Sequence, residues 1–214
     1  MNMIASILNL DRTAVKALRI TDPYSLHRVV YSLYEDVRDE TAKAASENSG
    51  ILFADQGGDF SGRKILLLSN RSPAERVEGV YGNVQSRSIY PGFLDHTTYR
   101  FKVIVNPTRR DSASRKLIPV KGRDAIGQWF CQRAEQSWGF HITTEHLQIE
   151  RVNVLQFKDK HQHPVTLAQA HVQGLLQVID PERFRQSFRQ GIGRGRAFGC
   201  GLLQIVPLID NPFA

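Results

Sequence analysis

The apolar positions of this chain change their period from one segment to the next. In "NMIASILNL" (residues 2–10) they alternate with polar ones, which predicts a strand. In "DPYSLHRVVYSLYED" (22–36), Leu26, Val29, Val30 and Leu33 recur at helical spacing and share one side of a helix turned at about 100° per residue. Asp22 suits the N-cap and Pro23 the first helical position, and "VRDETAKAA" is open to reading as the same helix running on. "ASENSG" is a loop. "ILFAD" and "RKILLLSN" read as strands joined by the Gly-rich hairpin connection "QGGDFSGR". "SPAERVEG", with Ser72 followed by Pro73, predicts a short helix, and "GNVQSRSI" a fourth strand. The order is βαββαβ.

"YPGFLDH" breaks the pattern and places a linker at 91–96, between one unit spanning 1–90 and another spanning 97–214. "TTYRFKVIVNP" then alternates as a strand. "TRRDSASRKLIPVKGR" reads as a long basic loop and "DAIGQWFCQRAEQSWGF" as an amphipathic helix. "HLQIERVNVLQF" and "VTLAQAHVQGLLQV" read as strands around the turn "KDKHQHP". "DPERFRQSFRQG" is a helix with Asp180 as N-cap, and "CGLLQIVPL" a last strand. The order is βαββαβ again. This is the split unit of ferredoxin-like folds, so the fold class expected is α+β, with two ferredoxin-like domains in tandem. Such sheets host many functions. The aromatic strand run by which RRM domains stack bases is missing, so the strand face is not the obvious RNA platform.

Charge narrows the field. Among 214 residues, Lys and Arg number 28 against 21 Asp and Glu, a net charge of +7. That favours a polyanionic partner, and nucleic acid over membrane, since no basic amphipathic anchor and no apolar run near the ~18 residues of a membrane span is visible. The opening has no basic n-region, and the cytoplasm is the expected compartment. Cys131 and Cys200 stand alone, without a metal signature.

Three groups of residues could carry chemistry. "GIGRGRAFGCG" (191–201) is neither a P-loop nor a dinucleotide fingerprint. It is a helix end running through Gly193, Arg194, Gly195, Arg196 and Gly199 into a strand, suited either to a phosphate backbone or to a glycine cap and tight crossing. His161 and His163 share a polar turn with no ligand spacing that completes a zinc site, so no metal and no small-molecule cofactor is expected. The opening helix carries Tyr24, His27, Arg28 and Tyr31 opposite its apolar stripe. Tyr24 and His27, three residues apart, point the same way. They suit either acid–base chemistry near neutral pH or packing against the second unit. RNA supplies a substrate for the former, because its own 2′-hydroxyl can attack the adjacent phosphate.

"DPYSLHRVVY", "YRFKVIVNPTRR" and "GIGRGRAFGCGLLQIVPL" together, in order and spacing across essentially the whole chain, resemble the CRISPR repeat-processing endoribonucleases of type I-E Cascade systems. The resemblance implies metal-independent cleavage of precursor CRISPR RNA at the base of the repeat hairpin, leaving 5′-hydroxyl and 2′,3′-cyclic phosphate ends. It implies retention of the hairpin and assembly with the other Cascade subunits. The alternative is a subunit that binds the hairpin without cutting it. His27 matches the family's proton-transfer histidine and Tyr24 its partner. Basic residues of the hairpin turn are implied near the scissile phosphate, where either Lys158 or Lys160 matches; Lys160 is taken as the catalytic candidate and Lys158 as an RNA-binding one. Arg28, Arg109, Arg110, Arg115, Lys116, Arg194 and Arg196, with Gly193, Gly195 and Gly199, complete the expected RNA-binding set. Arg196 stands where the family usually carries lysine; it keeps the charge and adds a bidentate fork.

Overall fold

The computed structural model describes residues 3–36, 49–59 and 62–208. Strand β1 (Ile4–Asp11) runs straight into a short helix, α1 (Arg12–Ala17), which the periodicity did not reveal. Asp11 ends the strand and caps the helix, accepting from the Ala14 amide at 2.7 Å. Helix α2 (Pro23–Ser32) starts where the local signals put it. The Asp22 carboxylate accepts from Ser25 N at 2.7 Å, and the Ser25 hydroxyl accepts from Asp22 N at 3.0 Å, a reciprocal cap. The proposed continuation over 37–45 lies outside the described residues.

Strands β2 (Ile51–Gly58), β3 (Gly62–Ser69) and β4 (Asn83–Ser88) join β1 in an antiparallel sheet of order β2-β3-β1-β4. That is the ferredoxin-like order, but the expected helix at "SPAERVEG" is absent. Residues 72–82 form turns pinned by a bridge between Val77 and Tyr81. Only Val77 of that stretch is buried, so it has no apolar stripe to hold a helix on the sheet.

The second sheet contains β5 (Thr98–Val105), β8 (Phe140–His141), β9 (Leu147–Lys158), β10 (Pro164–Val178) and β11 (Gln204–Pro207). Its order is β11-β5-β10, with β8 and β9 both on the far edge of β10, again antiparallel and ferredoxin-like. The basic "loop" is in part a small hairpin, β6 (Thr108–Arg110) against β7 (Leu117–Pro119). The long helix expected over 124–140 is α3 (Arg123–Arg133) followed by one π turn, Ala134–Trp138. Gly139 stops it in the left-handed region at φ 82°, where a Cβ would sit 2.6 Å from the Asp180 carbonyl. Helix α4 (Pro181–Gln190) is capped by Asp180.

Each domain buries its own core between helices and sheet. The first holds Leu8, Leu10, Leu26, Val30, Phe53 and Ile65, and the second holds Tyr99, Phe101, Phe130, Phe140 and Phe184. A third apolar cluster (Leu52, Ala54, Leu68, Ile104, Phe157, Leu167, Cys200 and Leu202) lies where the two domains meet. It joins strand residues of both sheets to the chain leading into β11. The stretch between the sheets takes part in the packing. The Tyr99 hydroxyl donates to the Phe93 carbonyl at 2.9 Å, and Arg185 of α4 bonds Asp95 at 2.8 Å.

Candidate active site

The two faces of α2 have different neighbours. Leu26, Val29, Val30 and Leu33 are buried in the first domain's core. On the other face Tyr24, His27 and Tyr31 are half-buried and Arg28 is exposed. His27 lies with its ring centroid 4.1 Å from Tyr31, 6.2 Å from Tyr24 at an interplanar angle of 19°, and 6.0 Å from Phe198. Tyr31 shares a 2.9 Å hydrogen bond with the Ser49 hydroxyl. His27 Nδ1 donates to the Ala197 carbonyl at 2.8 Å. The face that looked excess to a core-packing helix therefore meets the glycine-rich loop of the second domain. Packing and potential chemistry coincide there, because the rings remain partly open to solvent.

The loop is shaped by left-handed residues. Gly191, Gly193, Gly195, Gly199 and Gly201 all have φ between 71° and 85°, a region costing other residues about 1–2 kcal/mol. Gly195 and Gly199 face inward. Their Cβ atoms would meet Leu167 and Phe53, both at 3.1 Å. Gly193 alone of the three candidate glycines faces open space. Arg196 Nη1 donates to the Gln190 carbonyl at 2.8 Å, closing the C-terminus of α4. Arg194 is exposed, with no hydrogen bond or ion pair from its side chain among the described residues. Cys200, packed behind the loop, is fully buried, and burial pushes its thiol up to about 12.

The basic residues lie on two hairpins. Lys158 and Lys160 are exposed around the β9–β10 turn, just past buried Phe157, whose ring packs edge-on against Phe198 at 4.8 Å. Asp159 organises that turn, accepting from the His161 and His163 amides at 2.8 and 2.9 Å. These bonds, the His163 one foremost, hold its carboxyl below the usual range. Arg109 and Arg110 are exposed on β6, while Arg115 and Lys116 sit in the tight turn that follows. Asp111 binds Ser114 there, and the Ser114 hydroxyl keeps its carboxyl low. The structure thus gathers Tyr24, His27, Arg196 and the three glycines around one interdomain seam, with Lys158 and Lys160 two aromatic contacts away. Among the described residues, no three His, Cys, Asp or Glu side chains converge to hold a metal ion.

Reading the sequence passed over Ala197, Phe198, Phe157 and Gln169, the last of which donates to the Phe198 carbonyl at 3.4 Å. A main-chain acceptor leaves no mark in a sequence. Two glycines four residues apart were the only hint of the turn.

A family model described as CRISPR associated protein matches residues 1–207. The CRISPR-associated endoribonuclease Cse3 of Thermus thermophilus is 29% identical over 130 residues, 56% of this chain, and the match spans 61% of that relative's length. A structure of Thermus thermophilus Cse3 bound to an RNA representing a pre-cleavage complex superposes with a TM-score of 0.77 at 24% identity, over 97% of this chain and 100% of the other. A chain of a CRISPR RNA-guided surveillance complex, pre-nicking, superposes at 0.70 and 21% identity, over 96% and 100%. The structural likenesses share the tandem ferredoxin-like fold, and the family match spans nearly every described residue: the chain belongs to the CRISPR-associated protein family.

Proposed function

We propose that the chain is a metal-independent endoribonuclease of the cytoplasm that cleaves precursor CRISPR RNA at the base of the repeat hairpin and keeps the product hairpin as a subunit of a surveillance complex. In this reading residues 1–90 and 97–214 are its two domains, joined by 91–96. One observation carries the proposal: an imidazole and a phenol share a half-exposed helix face at the interdomain seam, beside a loop and a hairpin turn that present cations. The relatives named above, an endoribonuclease and an RNA-bound form of it, support the same activity.

The reaction needs two proton transfers. The 2′-oxygen bonds to phosphorus as it loses its proton to a base, and the phosphorus–O5′ bond breaks as O5′ gains a proton from an acid. Tyr24 and His27 are the two proton-handling groups. Their rings stack with centroids 6.2 Å apart, and each would address a different oxygen of one phosphodiester. Lys160 and Lys158 on the hairpin turn, and Arg194 on the loop, would offset the charge that develops on the phosphoryl oxygens. Arg28, exposed one helical turn past Tyr24, would add a further cation on that face.

His27→Ala is expected to slow single-turnover cleavage of a labelled repeat RNA about 10²- to 10⁴-fold and to leave hairpin affinity within a few-fold, with EDTA making no difference to the wild type. The His27–Ala197 contact also fits a hairpin-binding subunit that does not cut. Wild-type protein that binds the repeat but leaves it intact would establish that second reading and end the first.

A further inference from the structure

His27 belongs to the first domain, and the atom it bonds belongs to the second. A carbonyl oxygen only accepts, so the 2.8 Å contact with Ala197 requires the hydrogen on Nδ1. In the neutral ring the lone pair then resides on Nε2. When the ring gains a proton it gains it at Nε2, and the Nδ1 bond is kept. A histidine in water has the opposite preference, with its single proton mainly on Nε2.

The carbonyl that imposes this choice is itself held in place. Ala197 is the centre of a single 3-10 turn, Arg196–Phe198, between left-handed Gly195 (φ 79°) and Gly199 (φ 82°). Within it Phe198 N donates to the Gly195 carbonyl at 2.9 Å. Arg196 ties one end to α4 and Gln169 reaches the other from β10. The Phe198 ring is clamped between Phe157 and the His27 ring. Tyr31 supports the imidazole from its own helix at 4.1 Å.

We infer that the Arg196–Phe198 turn is a positioning element for the first domain's histidine: the Ala197 carbonyl selects the Nδ1–H tautomer, and Phe198 fixes the ring. This rests on the endoribonuclease reading and deepens it. Nε2 becomes the one nitrogen that exchanges protons with RNA. As a base it takes the 2′-hydroxyl proton while the O2′–phosphorus bond forms. As an acid its Nε2–H passes to O5′ while the phosphorus–O5′ bond breaks. Neither role disturbs Nδ1, so the orienting bond persists through the reaction, as it does for catalytic imidazoles held by a third group. The bond that selects this tautomer joins the two domains, so the selection depends on their docking.

Two measurements test this on the full chain. The first is a long-range proton–nitrogen spectrum of RNA-free protein labelled in its histidine rings, recorded at a pH where His27 is neutral and assigned by comparison with His27→Ala. A proton on Nδ1 and a bare Nε2 are expected; the reverse, or a mixture, overturns the inference. The second is Phe198→Ala, with Phe198→Leu beside it to keep the apolar contact with Phe157. The alanine variant should lose about 10- to 100-fold in single-turnover cleavage with hairpin affinity unchanged. Its His27 nitrogen signals should move toward the mixture, and the leucine variant should recover part of the rate. Wild-type cleavage by a folded alanine variant overturns the role of Phe198, and if that variant does not fold the wild-type spectrum decides alone. If His27→Ala cleaves normally, the endoribonuclease reading fails whatever the tautomer. If His27 is essential but protonated on Nε2, only the positioning inference fails.

Discussion

Arg194 and Arg196 look equivalent in "GRGR" and are attached differently. Arg196 donates to the last carbonyl turn of α4 at Gln190, so its charge sits at a helix C-terminus. Arg194 has no such tie and is exposed. Truncating Arg196 is therefore expected to cost about 0.5–1 kcal/mol of stability, roughly 1–4 °C in a melting curve for a protein of this size, besides any loss of RNA affinity. Arg194→Ala should leave the melting curve unchanged, weaken hairpin binding, and lower the salt dependence by about one unit of slope. An Arg194→Ala variant that binds as wild type would remove this residue from the RNA surface. Gly195 and Gly199 make the same point. Both have positive φ, as expected, and their missing side chains make room for Leu167 and Phe53.

Elements repeat this pattern of correct location and altered form. The basic segment after β5 was expected as a loop because it has few apolar residues to alternate. It nevertheless pairs Arg109 with Ile118 across a three-residue ladder. Trp129 of α3 donates to the Thr108 carbonyl at 3.1 Å, and Arg110 bonds the Arg115 carbonyl at 2.9 Å across the turn. A hairpin holds its cations at defined separations, which a free loop does not. Arg109→Ala with Arg110→Ala should weaken binding to all hairpin sequences alike and reduce the salt slope by about two units, near one per phosphate contact. An unchanged slope in a filter-binding series would take this hairpin out of the interface. The lost helix at 72–79 is the converse case. Its Ser-Pro start is a good local signal, but helical stability comes mainly from burying a stripe, and Val77 is a single residue.

At the scale of the molecule, the seam between the domains holds a titratable group outside the proposed chemistry. His171 on β10 is half-buried in a cavity of about 420 Å³, facing Asp55 and Gln56 of β2, Lys102 of β5, and Glu150 and Arg151 of β9. Burial first, and then the Arg151 guanidinium, push its pKa down, while Glu150 and Asp55 oppose them. The sign follows from linkage. A histidine depressed in the folded state binds its proton more readily when unfolded. Its contribution to stability is therefore complete above the unfolded value of about 6.5 and declines as pH falls below it. His171→Gln, a neutral side chain of similar reach, should flatten the fall in melting temperature between pH 7.5 and 5. Parallel curves for wild type and variant would show that His171 does not drive it.

Much of this was legible in the chain because it is local. The cap at Asp22, the two faces of α2 and most strands of the two sheets depend on residues within a few positions of one another, and the excess of cations on composition alone. The likeness of three short segments to a CRISPR repeat-processing family added expected roles for Tyr24 and His27, to be tested by their substitution, where periodicity alone left the choice open. The tertiary structure decided what those segments touch. His27 and Ala197 lie 170 positions apart, and their bond exists because open strand faces of the two sheets bury Leu52, Leu68, Ile104 and Leu167 against each other. Hydrophobic burial is non-directional, so the sequence announces that such faces will be covered without saying by what. The docking that covers them also determines which carbonyl meets the histidine, which glycines face inward, and which of two arginines caps a helix.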